Sequence, residues 1–303
     1  MELRHIRYFL AVADEGNFTR AADKLGIAQP PLSQQIRALE DELGVQLFHR
    51  VPHGAELTAA GRAFLTEARL TISAAERAKN AAQRAQRGES GRLLLGFTTS
   101  AAYNPIISST VDAFHHRWPD VSLALEEANT SPLYQRVLSG DLDAAFIRPV
   151  ARAPEGIRLE PLENEKTVVA LPANHALAQR ERLRLADLAL EPFIIFPRAA
   201  SPAFFDEIFA ACRASGFEPL IHQEAERTAS TVNLVAAHLG VTIVPTSMKQ
   251  IQLPGVAYRD IEGPAPVARL ALATVKSNRS PIIRNFLALL METSTERAPT
   301  PTE

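Results

Sequence analysis

Apolar positions repeat with helical spacing through the first part of the chain. Leu3, Ile6, Leu10 and Ala13 fall on one helical face, and Gly16 ends that run. Asn17 is a good N-cap for a second helix, Phe18 to Leu25, closed by Gly26. Pro30 and Pro31 suit the first turn of a third helix, where a missing N–H costs nothing. Leu32, Ile36, Leu39 and Leu43 give it an apolar stripe ending at Gly44. The period then shortens. Gln46-Leu47-Phe48 and Glu56-Leu57, with His53-Gly54 between them, predict a β-hairpin or wing. Thr58 can cap a long, Ala-rich helix from Ala59, with no Gly or Pro between Arg62 and Arg87. At ~1.5 Å per residue, about 29 residues span roughly 43 Å. Leu65, Ala68, Ile72, Ala75 and Ala82 form a seam along it, broken by Lys79, that faces either a partner helix or solvent. Gly88-Glu89-Ser90-Gly91 ends it as a hinge.

Beyond the hinge, short apolar runs alternate with helical patterns. Strands are predicted at Leu93 to Phe97, Val121 to Leu125 and Ala144 to Ile147, with helices from Ala102 to Arg117 and Leu133 to Ser139. The theme recurs with strands at Phe193 to Phe196, Leu220 to Gln223 and Val241 to Val244, and helices at Ala203 to Ser215 and Thr228 to Leu239. Twice βαβαβ predicts two α/β lobes with largely parallel sheets. The late strand Leu270 to Val275 and the helix from Pro281 to Met291 are expected to return to the first lobe. The division predicted is 1–58 for an all-α N-terminal domain with its wing, 59–90 for a linker or dimerisation helix, and 91–303 for the α/β part. Within that part, lobe I takes 91–162 and 268–303, and lobe II takes 163–267. Two such lobes form a cleft at the carboxyl ends of their strands.

Composition narrows the class. The chain has 303 residues, 46% of them apolar, and a formal charge of −2, so bulk charge signals neither nucleic acid nor membrane. Charge is uneven, however: 1–58 hold six Lys/Arg against eight Asp/Glu, whereas 59–92 hold seven against three. No apolar run has the ~18 residues a membrane helix needs, and Met1-Glu2-Leu3-Arg4-His5 lacks the pattern of a secretory signal. With Cys212 alone, an intramolecular disulfide is impossible. A cytoplasmic setting fits. There is no Walker loop, no G-x-G-x-x-G and no G-x-S-x-G elbow, so neither an enzyme nor a cofactor is expected. His115-His116 read as a helix surface pair, Trp118 before Pro119 as a helix stop, and Cys212 as a buried helix residue or, alternatively, a redox sensor.

The third predicted helix carries distinct chemistry. Opposite its apolar stripe lie Pro30, Gln34 and Arg37, with Ser33 at the flank. Gln, Arg and Ser are the residue types that read base edges and grip phosphates. Glu40, Asp41 and Glu42 sit at the far end, away from any duplex the N-terminal half would enter. The second helix offers amides at Asn17 to Thr19 for a phosphate, with Arg20 beside them. Arg50 and His53 would touch DNA from the wing. The same pattern fits a small helical domain with a solvated face.

In the α/β part, Thr98-Thr99-Ser100 and Asn129-Thr130-Ser131 each follow a strand and open a helix. Hydroxyls and unpaired amides at helix N-termini suit a carboxylate, and Arg148 could add a charged contact. Ser201-Pro202-Ala203-Phe204-Phe205 and Thr228-Ala229-Ser230 are the lobe II counterparts. The candidate effector residues are therefore Thr99, Ser100, Thr130, Arg148, Pro202, Phe204 and Thr228. Each hydroxyl among them reads equally as an ordinary N-cap.

The chain then shows a resemblance. Leu3-x-x-Ile6-Arg7-Tyr8-Phe9-Leu10-x-Val12-Ala13, Asn17-Phe18-Thr19-Arg20-Ala21-Ala22-x-x-Leu25 and Gln29-Pro30-Pro31-Leu32-Ser33-Gln34-Gln35-Ile36 resemble the LysR-type transcriptional regulators. So do Leu39-Glu40-x-x-Leu43-Gly44-x-x-Leu47-Phe48-x-Arg50 and Leu57-Thr58-x-Ala60-Gly61. Ile27 to Ser33 looks most like the branch controlling benzoate, catechol and chlorocatechol catabolism. The resemblance implies a winged helix-turn-helix, a long linker helix and a two-lobed effector domain like the periplasmic binding proteins. It implies promoter DNA, RNA polymerase and a small organic carboxylate as partners, a homodimer or homotetramer, and no membrane. Gln29, Pro30, Ser33 and Arg37 would face bases or phosphates. Gln34 stands where Arg is common and His53 where a basic wing residue is common, which weakens phosphate neutralisation there. Muconate-like dicarboxylates would bind where Ser100, Thr130, Arg148, Pro202 and Phe204 fall. The reading is an effector-responsive activator of a catabolic operon. Its rivals are a constitutive regulator or repressor without a ligand, and a two-lobed solute-binding or enzymatic protein.

Overall fold

The computed structural model describes residues 1–51, 54–150 and 152–295. The chain folds as two compact units, Met1–Arg84 and a second from Ala85 onward.

The first unit opens with α1 (Leu3–Glu15), α2 (Phe18–Leu25) and α3 (Gln29–Leu43). Gly16, Gly26 and Gly44 end them in the left-handed conformation that glycine adopts without strain. Strands β1 (Phe48–Val51) and β2 (Gly54–Leu57) pair antiparallel, Phe48 opposite Leu57. Helix α4 (Ala59–Arg87) runs for 29 residues, and Thr58 caps it by accepting from the Gly61 amide at 2.8 Å.

Several packing details depart from the sequence pattern. In α1 the buried face is Ile6, Phe9 and Val12, while Leu3 is 43% exposed. Phe9 sets this face, because its ring lies 5.2 Å from Phe48 and 4.9 Å from Phe64. Leu43 is also exposed, since the chain turns away at Gly44 and Leu47 and Phe48 take the buried places. The wing strand starts at Phe48 rather than Gln46. The Glu40 carboxylate accepts from the Leu47 and Phe48 amides at 2.7 and 3.1 Å, which fixes the approach to β1. Of the α4 seam, Leu65, Ala68 and Ile72 pack on the winged domain's own core.

The second unit contains, in order, β3 (Gly91–Phe97), α5 (Thr99–Ala102), α6 (Pro105–Arg117), β4 (Val121–Glu127), α7 (Thr130–Ser139) and β5 (Ala144–Ile147). Then come β6 (Ile157–Glu165), β7 (Thr167–Pro172), β8 (Arg182–Leu183), β9 (Pro192–Ile195) and α8 (Pro202–Ala214). Next are β10 (Leu220–Glu224), α9 (Thr228–Ala236), β11 (Thr242–Pro245), β12 (Val256–Ile261), β13 (Ala268–Val275) and α10 (Pro281–Thr295). Lobe I is a five-stranded sheet in the order β4-β3-β5-β13-β6. Lobe II holds a four-stranded sheet, β11-β7-β12-β8, and the pair β10-β9, linked by a bridge between Phe193 and Val241.

The sheets are less parallel than the sequence suggested. In lobe I, β3 is parallel to β4 and β5, but β13 is antiparallel to both β5 and β6. In lobe II, β7 runs antiparallel to β11 and β12. Strands β6, β7, β8 and β12 went unpredicted. Pro161 masks β6, and the register shift between Leu270 and Ala271 accommodates it as a bulge. Two connections, β6 into β7 and β12 into β13, join the lobes. As expected, β13 and α10 return to lobe I, where Phe286 packs 5.3 Å from Phe114.

Candidate nucleic-acid interface and effector cleft

Two features of the first unit present chemistry to solvent. On α3, Pro30, Gln34 and Arg37 are exposed, opposite buried Leu32, Ile36 and Leu39. Gln29 is half-buried and donates to the Ser33 hydroxyl at 2.6 Å, and Ser33 itself is buried at 9% exposure. The pair presents one polar spot, with the Gln29 amide outermost. Asn17 caps α2 by accepting from the Thr19 and Arg20 amides at 2.8 and 3.1 Å. The Thr19 amide, read from sequence as a phosphate donor, is thus already bonded within the chain. Arg20 reaches back to the Glu15 carbonyl at 2.5 Å, though it stays exposed. Arg50 lies opposite Ala55 in the wing and only its backbone is described; His53 lies outside the described residues.

In the second unit, the carboxyl ends of β3, β4 and β5 and the start of β13 meet at the lobe boundary. Arg148 follows β5 and is 1% exposed. Its guanidinium donates to the Ala268 carbonyl at 2.7 Å, the Ser100 carbonyl at 3.3 Å, the Ser100 hydroxyl at 3.4 Å and the Glu165 carboxylate at 2.7 Å. Four of its five N–H donors therefore have protein acceptors. Burial pulls the guanidinium pKa down, and Glu165 opposes that shift. Glu165 also accepts from the Asn104 side chain at 3.2 Å and the Ser247 amide at 2.7 Å. This network ties lobe I, through Ser100 and Asn104, to lobe II, through Ser247. Glu165, Asn104 and Ser247 carried no sequence signal, because nothing local distinguishes them from other polar residues.

The same domain holds buried hydroxyls without partners. Among the described residues, Thr98 Oγ1, Thr130 Oγ1, Ser201 Oγ and Ser247 Oγ have no hydrogen-bond partner. Thr98, Thr130 and Ser201 stand at the starts of α5, α7 and α8, yet none caps its helix with its hydroxyl. The capping alternative therefore fails for Thr130. The Thr130 amide donates across the lobes to the Ala200 carbonyl at 3.3 Å. At the rim, Glu127 accepts from Thr99 at 2.6 Å and from Arg227 of lobe II at 2.7 Å. Thr228 opens α9 and is buried.

The candidates do not all converge. Phe204 belongs to the core of lobe II, stacked 5.7 Å from Phe196. Pro202 instead borders a cavity of about 850 Å³ beside Pro149, Val150 and Arg269.

The winged helical unit and the two-lobed domain together match known proteins over almost the whole chain. Residues 3–62 match the bacterial regulatory helix-turn-helix protein, lysR family, and residues 86–295 match the LysR substrate binding domain. The chain belongs to the LysR family of transcriptional regulators. An uncharacterized HTH-type transcriptional regulator of Escherichia coli, YnfL, is 38% identical over 287 residues, covering 94% of this chain and 96% of that protein. The Hca operon transcriptional activator HcaR of the same organism is 37% identical, with 96% and 98% coverage. The crystal structure of CbnR, a LysR family transcriptional regulator, superposes with a TM-score of 0.87 at 31% identity, covering 96% of this chain and all of that one. Full-length CbnR complexed with its target DNA gives 0.85 at 30% identity, covering 97% of this chain and 100% of that one.

This LysR-type chain is thus a DNA-binding transcriptional regulator with an effector-binding domain. The architecture is the one the sequence predicted: a winged helix-turn-helix, a long linker helix and two α/β lobes. Among the described residues, no helix is long and apolar enough to cross a membrane, and no cluster of His, Cys, Asp or Glu could hold a metal ion.

Proposed function

We propose that this regulator is an effector-responsive activator of a catabolic operon, sensing a small organic carboxylate between the lobes. The carrying observation is the set of unpartnered buried hydroxyls, Thr98, Thr130 and Ser201, at helix starts of both lobes. Buried polar atoms are almost always satisfied, so orphans that recur at the helix starts of both lobes support a hydrogen-bonding ligand there. The N-termini of α7, α8 and α9 favour negative charge there. Since Glu165 already holds Arg148, a carboxylate takes the remaining N–H or displaces part of the Ser100 contact. Thr99 and Thr228 contribute from the rim and Phe204 acts from behind as support, while Pro202 borders the separate cavity beside Pro149 and Val150.

On the DNA side, we assign base and phosphate contacts to Gln29, Pro30, Ser33, Gln34 and Arg37 of α3. Asn17, Thr19 and Arg20 meet the backbone at the start of α2, and Arg50 and His53 act at the wing. Ser33 works through Gln29. We assign 1–58 to DNA binding, 59–90 to linking and dimerisation and 91–303 to sensing. A homodimer or homotetramer would double or quadruple the phosphate contacts that a head of net −2 lacks alone. Activation implies contact with RNA polymerase. The Hca operon activator among the relatives supports the activating role, and Ile27 to Ser33 support the aromatic-catabolism branch.

The mechanism is a population shift. An effector acts only through its differential affinity for two lobe arrangements. A panel of mono- and dicarboxylates should raise the melting temperature as RT ln(1 + [L]/Kd) requires. Ser100→Ala and Thr130→Val should lose that shift and keep operator binding in a gel shift. Unchanged footprints and DNA bending with a bound effector would refute the mechanism. An absence of any shift across the panel would favour the constitutive regulator.

A further inference from the structure

We infer that lobe I carries a second anion site, at the end of its sheet opposite the effector cleft, that takes a small phosphate-bearing molecule. Strand β13 is antiparallel to β5, so its end at Val275 lies beside the starts of β5 and β6, away from Arg148. A cavity of about 390 Å³ opens there, and Arg158, Lys276, Arg279 and Arg284 line it together with Asn278 and Ser280. Among the described residues, no acidic side chain lines it. Most arginines of this domain have carboxylate neighbours: Arg117 with Glu292, Arg136 with Glu126, Arg198 with Asp206, Arg213 with Glu218. By contrast, among the described residues, Lys276, Arg279 and Arg284 have no ion-pair partner. Arg158 alone is paired, with Glu160 at 3.3 Å.

Like charges in one concavity repel and are tolerated where a counter-ion joins them. The turn is built to stay in place. Asn278 accepts from the Ser280 amide at 2.8 Å, and the Lys276 amide donates to the Gly156 carbonyl at 2.8 Å. Helix α10 starts at Pro281, so its N-terminal dipole adds to the positive potential. Two or three guanidinium forks and an ammonium match phosphate oxygens. The concave shape suits a compact phosphate ester or diphosphate better than a duplex. One turn further, Asn285 donates to the Arg87 carbonyl at 2.8 Å, so an anion held by Arg284 lies beside the end of α4.

The test is calorimetric titration of the full chain with inorganic pyrophosphate, at low and at moderate ionic strength. Saturable single-site binding is expected, with Arg279→Ala/Arg284→Ala weakening it at least tenfold. The control pair Arg180→Ala/Arg182→Ala in lobe II and the cleft variant Ser100→Ala should leave it unchanged. No saturable binding overturns the proposal, as does equal loss in the control pair. Loss of operator affinity in Arg279→Ala/Arg284→Ala, without pyrophosphate binding by the parent chain, would make the cavity a DNA-backbone contact and also overturn it. Operator binding by the parent chain in the same preparation tests the regulator reading separately.

Discussion

Arg148 and Glu165 form a buried ion pair, with side chains 1% and 5% exposed. Removing one member of a buried pair leaves an uncompensated charge, a loss of about 3–5 kcal/mol. Glu165→Gln should therefore lower unfolding stability in urea by roughly that amount, and Arg148→Met/Glu165→Gln should lose less than the single change. A single variant as stable as the parent would mean that the pair is hydrated. Cys212 gives a second residue-scale expectation. Burial raises its thiol pKa to about 11, so the thiolate is scarce at pH 8. Alkylation should be slow in the native chain and fast in denaturant; rapid native labelling at pH 8 would favour the redox-sensor alternative. Arg37 is exposed on α3 opposite the buried stripe. Arg37→Ala should weaken operator binding and, if the contact is to phosphate, reduce the salt slope by about one unit.

Elements are held by a few close approaches. Gly61 packs so tightly that a Cβ there would collide with the Leu47 carbonyl oxygen, where α4 crosses the start of the wing. Gly61→Ala should destabilise the winged unit by about 1–3 kcal/mol despite alanine's better helix propensity. Asn17→Ala removes a cap and should lose about 1 kcal/mol. Denaturant unfolding of the two variants checks both, and a stabilised Gly61→Ala would show that the wing can give way. Leu65, Ala68 and Ile72 pack against the winged core, whereas Leu70 is 57% exposed.

At the scale of the effector domain, a few polar contacts run between the lobes. Glu127 and Arg227 pair at the rim with side chains 31% and 59% exposed, a geometry worth at most about 1 kcal/mol. Glu127→Gln should shift the effector-free population toward open lobes by about fivefold or less. Small-angle scattering should show a modestly larger radius of gyration that effector reverses. An unchanged radius would place control of closure in the Arg148–Glu165–Ser247 network instead.

Periodicity and capping chemistry are local properties, so the sequence alone determined the three N-terminal helices, the long α4 and the βα alternation behind it. The motif from Leu3 to Gly61 likewise carried the family by itself. The strands β6, β7, β8 and β12 escaped because their pairing partners lie far along the chain, and in β6 Pro161 also interrupts the alternation. Sequence placed Ser100 and Thr130 at strand-to-helix junctions and Arg148 at the end of a strand. Only tertiary structure decided that Arg148 pairs with Glu165, that Phe204 turns into a core, and that Ser201 and Thr130 lack partners. Hydrogen-bond satisfaction is a sum over neighbours brought in from every part of the fold, and no single stretch of chain contains that sum.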